Sequence, residues 1–170
     1  ADILDEEAAR TELQSDIYLF QAIPKGDRME TVIEKAVELG VHEIIPVAMK
    51  YCVVKLDEKK AANKIRRWQA IAESAAKQSK RSIIPQIHPI MNYREALEYA
   101  RQCDVNLVPY ENESGMLATK EALDLVEPGK SISVIIGPEG GFSEEEIAAA
   151  REDMQIISLG KRILRTDTAG

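Results

Sequence analysis

The sequence predicts an α/β fold: a parallel sheet covered by helices on both faces. Three observations carry this. Short apolar runs of strand length alternate with segments whose apolar residues recur at the 3.6-residue helical period. The run Ser131–Ile136 (SISVII) is apolar almost throughout, as suits a strand buried on both faces. The chain has 170 residues, 45% hydrophobic and 30% charged, with 9 Gly and 7 Pro; that is enough for one sizeable core and unlike a disordered composition.

Residues 1–16 are polar and acidic, with Ile3, Leu4 and Leu13 too sparse for a buried face, and read as a frayed lead-in. Ile17–Ile23 is the first strand, punctuated by Pro24-Lys25-Gly26-Asp27. Asp27 then caps a helix, with Glu30 completing a capping-box-like pair. Met29, Val32, Ile33, Ala36 and Val37 follow the helical period, and Gly40 supplies the stop. His42–Val47 is a short strand. A long helix runs from about Asp57 to Ser79, with Ile65, Trp68, Ala72, Ala75 and Ala76 on one face. Ile83–His88 is the next strand, and Tyr93, Ala96, Leu97 and Ala100 mark a short helix. Val105–Pro109, a helix from about Met116 to Val126, and Ser131–Ile136 continue the alternation. A Gly-rich loop, a helix opened by Ser143 with Glu146 three places on, and the strand Gln155–Leu159 complete it.

No apolar run approaches the roughly 18 residues of a membrane helix, and no signal-peptide pattern opens the chain. Two cysteines (Cys52, Cys103) and two histidines (His42, His88), all far apart, exclude a disulfide framework and argue against a metal site. A reducing cytoplasm is the expected home. His42 and His88 read as structural, and the cysteines as small buried hydrophobes. The net charge of −7 is unevenly spread. Lys59 to Arg81 carries eight cations against the single anion Glu73, so that stretch is +7 and the remainder −14. Such a segment can track phosphates locally; it can equally be a solvated helix face.

Ligands of parallel sheets bind at the carboxyl ends of the strands. Three such ends stand out: Val108-Pro109-Tyr110-Glu111, Gly137-Pro138-Glu139-Gly140-Gly141 and Ser158-Leu159-Gly160-Lys161-Arg162. Glycines in the middle one allow positive φ and close backbone approach to a ligand, although a tight turn alone would use them too. It is neither a dinucleotide fingerprint nor a P-loop. Glu144, Glu145 and Glu146 suit the helix dipole there but spoil that helix end as a phosphate cradle. A neutral adenosine joined to a cationic centre is compatible, which points toward S-adenosyl-L-methionine.

The blocks Pro24-Lys25-Gly26-Asp27-Arg28-Met29-Glu30, Lys35-Ala36-Val37-Glu38-Leu39-Gly40, Arg67-Trp68-Gln69-Ala70-Ile71-Ala72 with Gln78-Ser79-Lys80-Arg81, Ile136-Gly137-Pro138-Glu139-Gly140-Gly141-Phe142-Ser143, and Leu159-Gly160-Lys161-Arg162-Ile163-Leu164-Arg165-Thr166-Asp167-Thr168-Ala169 occur in order. Together, over residues 17–170, the chain resembles the RsmE family, the 16S ribosomal RNA uracil-N3 methyltransferases of the SPOUT superfamily. The resemblance implies a trefoil-knot methyltransferase domain, S-adenosyl-L-methionine as cofactor, 16S rRNA of the small ribosomal subunit as partner, a homodimer, and neither metal nor membrane. It also implies an N-terminal PUA-like barrel, for which residues 1–16 would be the exit linker. The family's knot-threading C-terminal helix would follow Gly170.

Carried over by position, the cofactor would be held by Val108, Pro109, Gly137, Pro138, Glu139, Gly140, Gly141, Leu159, Gly160, Arg162, Ile163 and Leu164. Adenine would meet backbone groups of Leu159, Gly160 and Leu164, with Ile163 and Leu164 packing on the ring; both can also be core. Lys25, Arg28, Gln78, Arg81 and Arg165 would face RNA, joined by Lys64, Arg67 and Lys80 of the basic segment. Uridine N3 must lose its proton to become a nucleophile, and a cation near O2 or O4 would stabilise the resulting anion. Arg165 is the expected cation, with Glu139 or Glu111 as proton acceptor. Arg165 could instead be an ion-pair partner of Asp167 or Glu139. Trp68 lies on the apolar stripe and reads as core rather than as a base-stacking ring. A catalytically silent RNA-binding module and an α/β enzyme for a small acidic metabolite are the competing readings.

Overall fold

A computed structural model describes residues 11–113, 117–162 and 164–170. In chain order the elements are β1 (Asp16–Ala22), α1 (Arg28–Glu38), β2 (Glu43–Ala48), α2 (Glu58–Gln78), β3 (Gln86–Ile87), β4 (Met91–Asn92) and α3 (Tyr93–Ala100). There follow β5 (Val105–Pro109), α4 (Leu117–Asp124), β6 (Ser131–Ile136), α5 (Glu144–Ala150), β7 (Gln155–Ile157) and α6 (Thr166–Ala169). Among the described residues the strands form one seven-stranded sheet in the order β3-β2-β1-β6-β5-β7, with β4 pairing β2 beyond β3. Every pairing is parallel.

Consecutive residues of a strand face opposite sides, and here both sides are covered. Leu19, Ile44 and Ile136 pack under α1 and α2 with Val32, Ile33, Trp68 and Ala72. Their neighbours Phe20, Ile45 and Ile135 pack on the other face against Leu97 of α3 and Ile147 of α5. Toward β7, Leu107, Ile132 and Ile157 join Ala122 of α4. This two-sided burial is why SISVII and IYLFQAI read as apolar runs rather than alternating ones. Trp68 is 2% exposed and belongs to the core, as its place on the stripe implied. No helix among the described residues is long and apolar enough to cross a membrane.

Several local expectations are corrected. The lead-in is not frayed over its described part. Glu12 accepts hydrogen bonds from Arg81 Nε at 3.0 Å and from the Ser82 and Ile83 backbone N–H groups, while Leu13 lies against Gly40. Residues 1–10 lie outside the described part. Asp27 does not cap α1 with its side chain: its backbone (φ −101, ψ 12) is outside the extended region from which a cap reaches back. Glu30 pairs instead with Arg67 at 2.8 Å. The strand expected over 83–88 shrinks to Gln86–Ile87, because the preceding backbone is bound to Glu12 and Ile83 and Ile84 stay exposed. The last strand ends at Ile157, where the Ser158 hydroxyl turns the chain by accepting from Gly160 N–H. The short β4 and α6 were not anticipated. Asp57, Asn92 and Ser143 do cap α2, α3 and α5, the last two as capping boxes with Glu95 and Glu146.

Both histidines are tied to carboxylates at the amino edge of the sheet, His42 to Asp16 at 3.2 Å and His88 to Glu43 at 2.7 Å. Cys52 and Cys103 are half-buried, and burial pushes both thiols up.

Candidate active site

The loops leaving β5, β6 and β7 converge at the carboxyl edge around a cavity of about 330 Å³. Local chemistry shapes each wall. After β6 the chain turns at Pro138, whose carbonyl accepts from Gly141 N–H at 2.9 Å, and Gly141 adopts φ +72. A Cβ there would fall 2.9 Å from Glu111 Oε1, and one at Gly137 would fall 2.8 Å from the Phe142 ring. Both positions therefore need glycine. The loop is locked to α5 by Glu146, whose Oε2 accepts from Ser143 N–H at 2.8 Å while its Oε1 accepts from Lys50 N–H at 2.9 Å. After β7, Gly160 takes φ +105, and the Thr119 hydroxyl of α4 bridges both backbone groups of Ser158.

A buried chain of hydrogen bonds joins two of these walls. Gln21 of β1 is fully buried, and its Nε2 donates to Thr166 Oγ1 at 3.0 Å. That hydroxyl donates in turn to the Gly137 carbonyl at 2.9 Å. The segment carrying Arg165 is thereby pinned to the Gly-rich loop. Neither Gln21 nor Thr166 was singled out from the sequence. The available signal was a lone amide inside the apolar run IYLFQAI.

The expected site residues can now be placed. Pro109 and Glu111, Gly137, Pro138, Glu139 and Gly141, and Leu159, Gly160, Arg162 and Leu164 all line this cavity, as does Arg165. Val108 is buried behind the wall, and Gly140 turns away from the cavity toward Tyr51. Ile163 lies outside the described residues. Arg165 Nε is 3.2 Å from Asp167, and its side chain remains 68% exposed. Glu139 pairs with Arg28 instead, at 2.6 Å, and also accepts from Lys25 N–H at 2.9 Å. Burial raises the Glu139 carboxyl, but the Lys25 and Glu139 backbone N–H groups and the Arg28 guanidinium more than offset this and hold it below the usual carboxylate range.

The residues expected to face RNA divide. Arg28 lines the cavity, and Lys25 touches its wall through the backbone N–H that binds Glu139. Lys64 lies 5.5 Å from the Trp68 ring centroid, and Arg67 pairs with Glu30. Helix α2 has 21 residues and so is about 30 Å long. It carries Gln78 and Lys80 to the amino edge, away from the cavity. Arg81 is a correction: its side chain is 4% exposed, paired with Glu12 and donating to the Val37 and Val41 carbonyls, so it stabilises the fold from inside.

The family described as RNA methyltransferase domain matches residues 11–170. The chain belongs to that family. Ribosomal RNA small subunit methyltransferase E of Bacillus subtilis is 40% identical over 162 residues, 93% of this chain and 63% of the relative. The protein of that name from Mesomycoplasma hyopneumoniae is 37% identical over 170 residues, 99% of this chain and 72% of the relative. The crystal structure of the Neisseria gonorrhoeae enzyme bound to S-adenosyl methionine superposes with a TM-score of 0.78 at 40% identity, covering 92% of this chain and 62% of that one. The chain thus spans about two thirds of the length of these relatives. The resemblance read from five motif blocks agrees with these matches, as does the α/β fold read from the alternation of strands and helices.

Proposed function

We propose that the chain is the catalytic part of an S-adenosyl-L-methionine-dependent methyltransferase that acts on N3 of a uridine in 16S ribosomal RNA. The observation that carries this reading is the cavity at the carboxyl edge, where the three strand-end loops meet Arg28. The family relationship and the cofactor in the gonococcal relative support it. A homodimer in the cytoplasm belongs to the same reading.

The donor set fits that cofactor. The volume lies within the range of small-molecule pockets, and Gly137, Gly141 and Gly160 leave the backbone open to close approach. Leu159, Gly160 and Leu164 would take the adenine. When bound, the cofactor supplies an electrophilic methyl group on a positive sulfur.

The chain's own groups do the rest. Glu139 is committed to Lys25 and Arg28 and is a weak base, so Glu111, beside Gly141, is the better acceptor for the N3 proton. Arg165 would place its guanidinium at uridine O2 or O4, where negative charge develops as N3 loses that proton. With the cofactor held there, the cavity walls would keep the uridine nitrogen in line with the methyl group, opposite the departing sulfur. The test is methyl transfer from labelled S-adenosylmethionine to undermethylated small ribosomal subunits, read as modified nucleoside by mass spectrometry. 3-Methyluridine is the expected product. A different methylated nucleoside overturns the target assignment, and absence of both transfer and cofactor binding overturns the enzyme reading.

A further inference from the structure

Tyr51 is an aromatic side chain left in the open by a loop that is otherwise firmly held. Lys50 N–H donates to Glu146, Lys50 Nζ pairs with Glu145 at 2.9 Å, and Cys52 N–H returns to the Met49 carbonyl at 3.1 Å. Between these anchors Tyr51 is 47% exposed, and Val53 just beyond it is 66% exposed. The ring is placed against the Gly-rich loop: a Cβ on Gly140 would come 3.0 Å from Tyr51 Cβ. The two residues flanking Gly140, Glu139 and Gly141, line the cavity from the other side. In the sheet, β2 and β6 are separated only by β1, or about 10 Å between strands two places apart. The loop leaving β1 and the start of α1 reach the Gly-rich loop there, through the Lys25 N–H and the Arg28 guanidinium on Glu139.

We propose that Tyr51 is the stacking platform for the base that flanks the target nucleotide, with Lys25, whose backbone N–H binds Glu139 next to Gly140, meeting the intervening phosphate. This rests on the reading of the chain as an RNA methyltransferase. A target base is reached only when unstacked from its neighbours, and a neighbour so exposed gains from an aromatic face. Lys50 is neutralised by Glu145, and acids crowd the start of α5. The phosphate path therefore favours the Lys25 side of the ring.

The test compares Tyr51→Ala and Tyr51→Phe in the full chain. Three quantities are read: KM for undermethylated small subunits, cofactor affinity by calorimetry, and anisotropy of a short fluorescein-labelled uridine-rich single strand. Tyr51→Ala should weaken the RNA readouts by about 5- to 100-fold. Cofactor affinity should stay unchanged, and Tyr51→Phe should behave as wild type. RNA readouts unchanged in Tyr51→Ala overturn the proposal. A shifted oligomeric state with unchanged RNA readouts also overturns it, in favour of a protein contact. Strand binding that depends on Tyr51 in a wild-type chain that transfers no methyl would overturn the methyltransferase reading and leave the platform standing.

Discussion

Arg165 reaches the cavity from the turn before α6, its side chain paired with Asp167 and largely exposed. A guanidinium so placed can move onto a developing anion without breaking a buried contact. Arg165→Ala should lower turnover by about 10²- to 10³-fold, with cofactor affinity by calorimetry close to wild type. Undiminished turnover would return Arg165 to a purely ion-pairing role. Gly141 is constrained twice, by its φ of +72 and by the Glu111 carboxylate facing it. Gly141→Ala should strain the loop by about 1–3 kcal/mol and weaken cofactor binding on the order of tenfold or more. Gly129, also at positive φ but with open space around it, offers the control substitution.

Pinning of one element to another governs the next scale. The Gln21–Thr166–Gly137 chain ties β1 to two walls of the cavity, so Gln21→Leu should cost cofactor affinity as well as stability. Thr166→Ser should keep both, and Thr166→Val should not. At the opposite edge the Arg81–Glu12 pair holds the lead-in to the end of α2. Burial raises the Glu12 carboxyl, but the Arg81 guanidinium and the Ser82 and Ile83 N–H groups more than offset it, leaving it below its ordinary value of 4.5. A depressed folded value means the stabilisation is complete above the unfolded value and is lost as pH falls through the folded one. Melting temperature should therefore drop more steeply in wild type than in Glu12→Gln as pH falls below about 4.5. The alternation of strands and helices was legible because apolar periodicity is local. The three strand-end loops were legible because parallel topology places ligands there. The Glu12 clamp was not, since nothing near Glu12 names a partner 69 residues away. Arg81 likewise looked like part of a basic stripe, and only tertiary packing turns it inward. Asp27 failed as a cap because a side chain's reach depends on backbone angles that its identity does not dictate.

Across the whole molecule, the charge that can meet RNA is sparse. The chain is −7, and the cations of α2 are spread along about 30 Å and partly engaged by Trp68 and Glu30. Lys25, at the cavity edge, should count for more than Lys80, at the amino edge. Lys25→Ala should reduce the salt dependence of RNA binding by about one counterion, and Lys80→Ala should change it less. The sheet has one more consequence. Its centre is the seam between β1 and β6, pairing Asp16 with Ser131 and Gln21 with Ile136 across more than a hundred residues of chain. Long loops must close before such a pairing yields anything, so the seam is slow to form. During synthesis β1 and β2 emerge and wait, one edge of β1 bare, until β6, more than a hundred residues later, has left the ribosome. Until then that edge is open to any other extended chain, and the nascent protein is at its most vulnerable to aggregation while still attached to the machine whose RNA we propose it modifies.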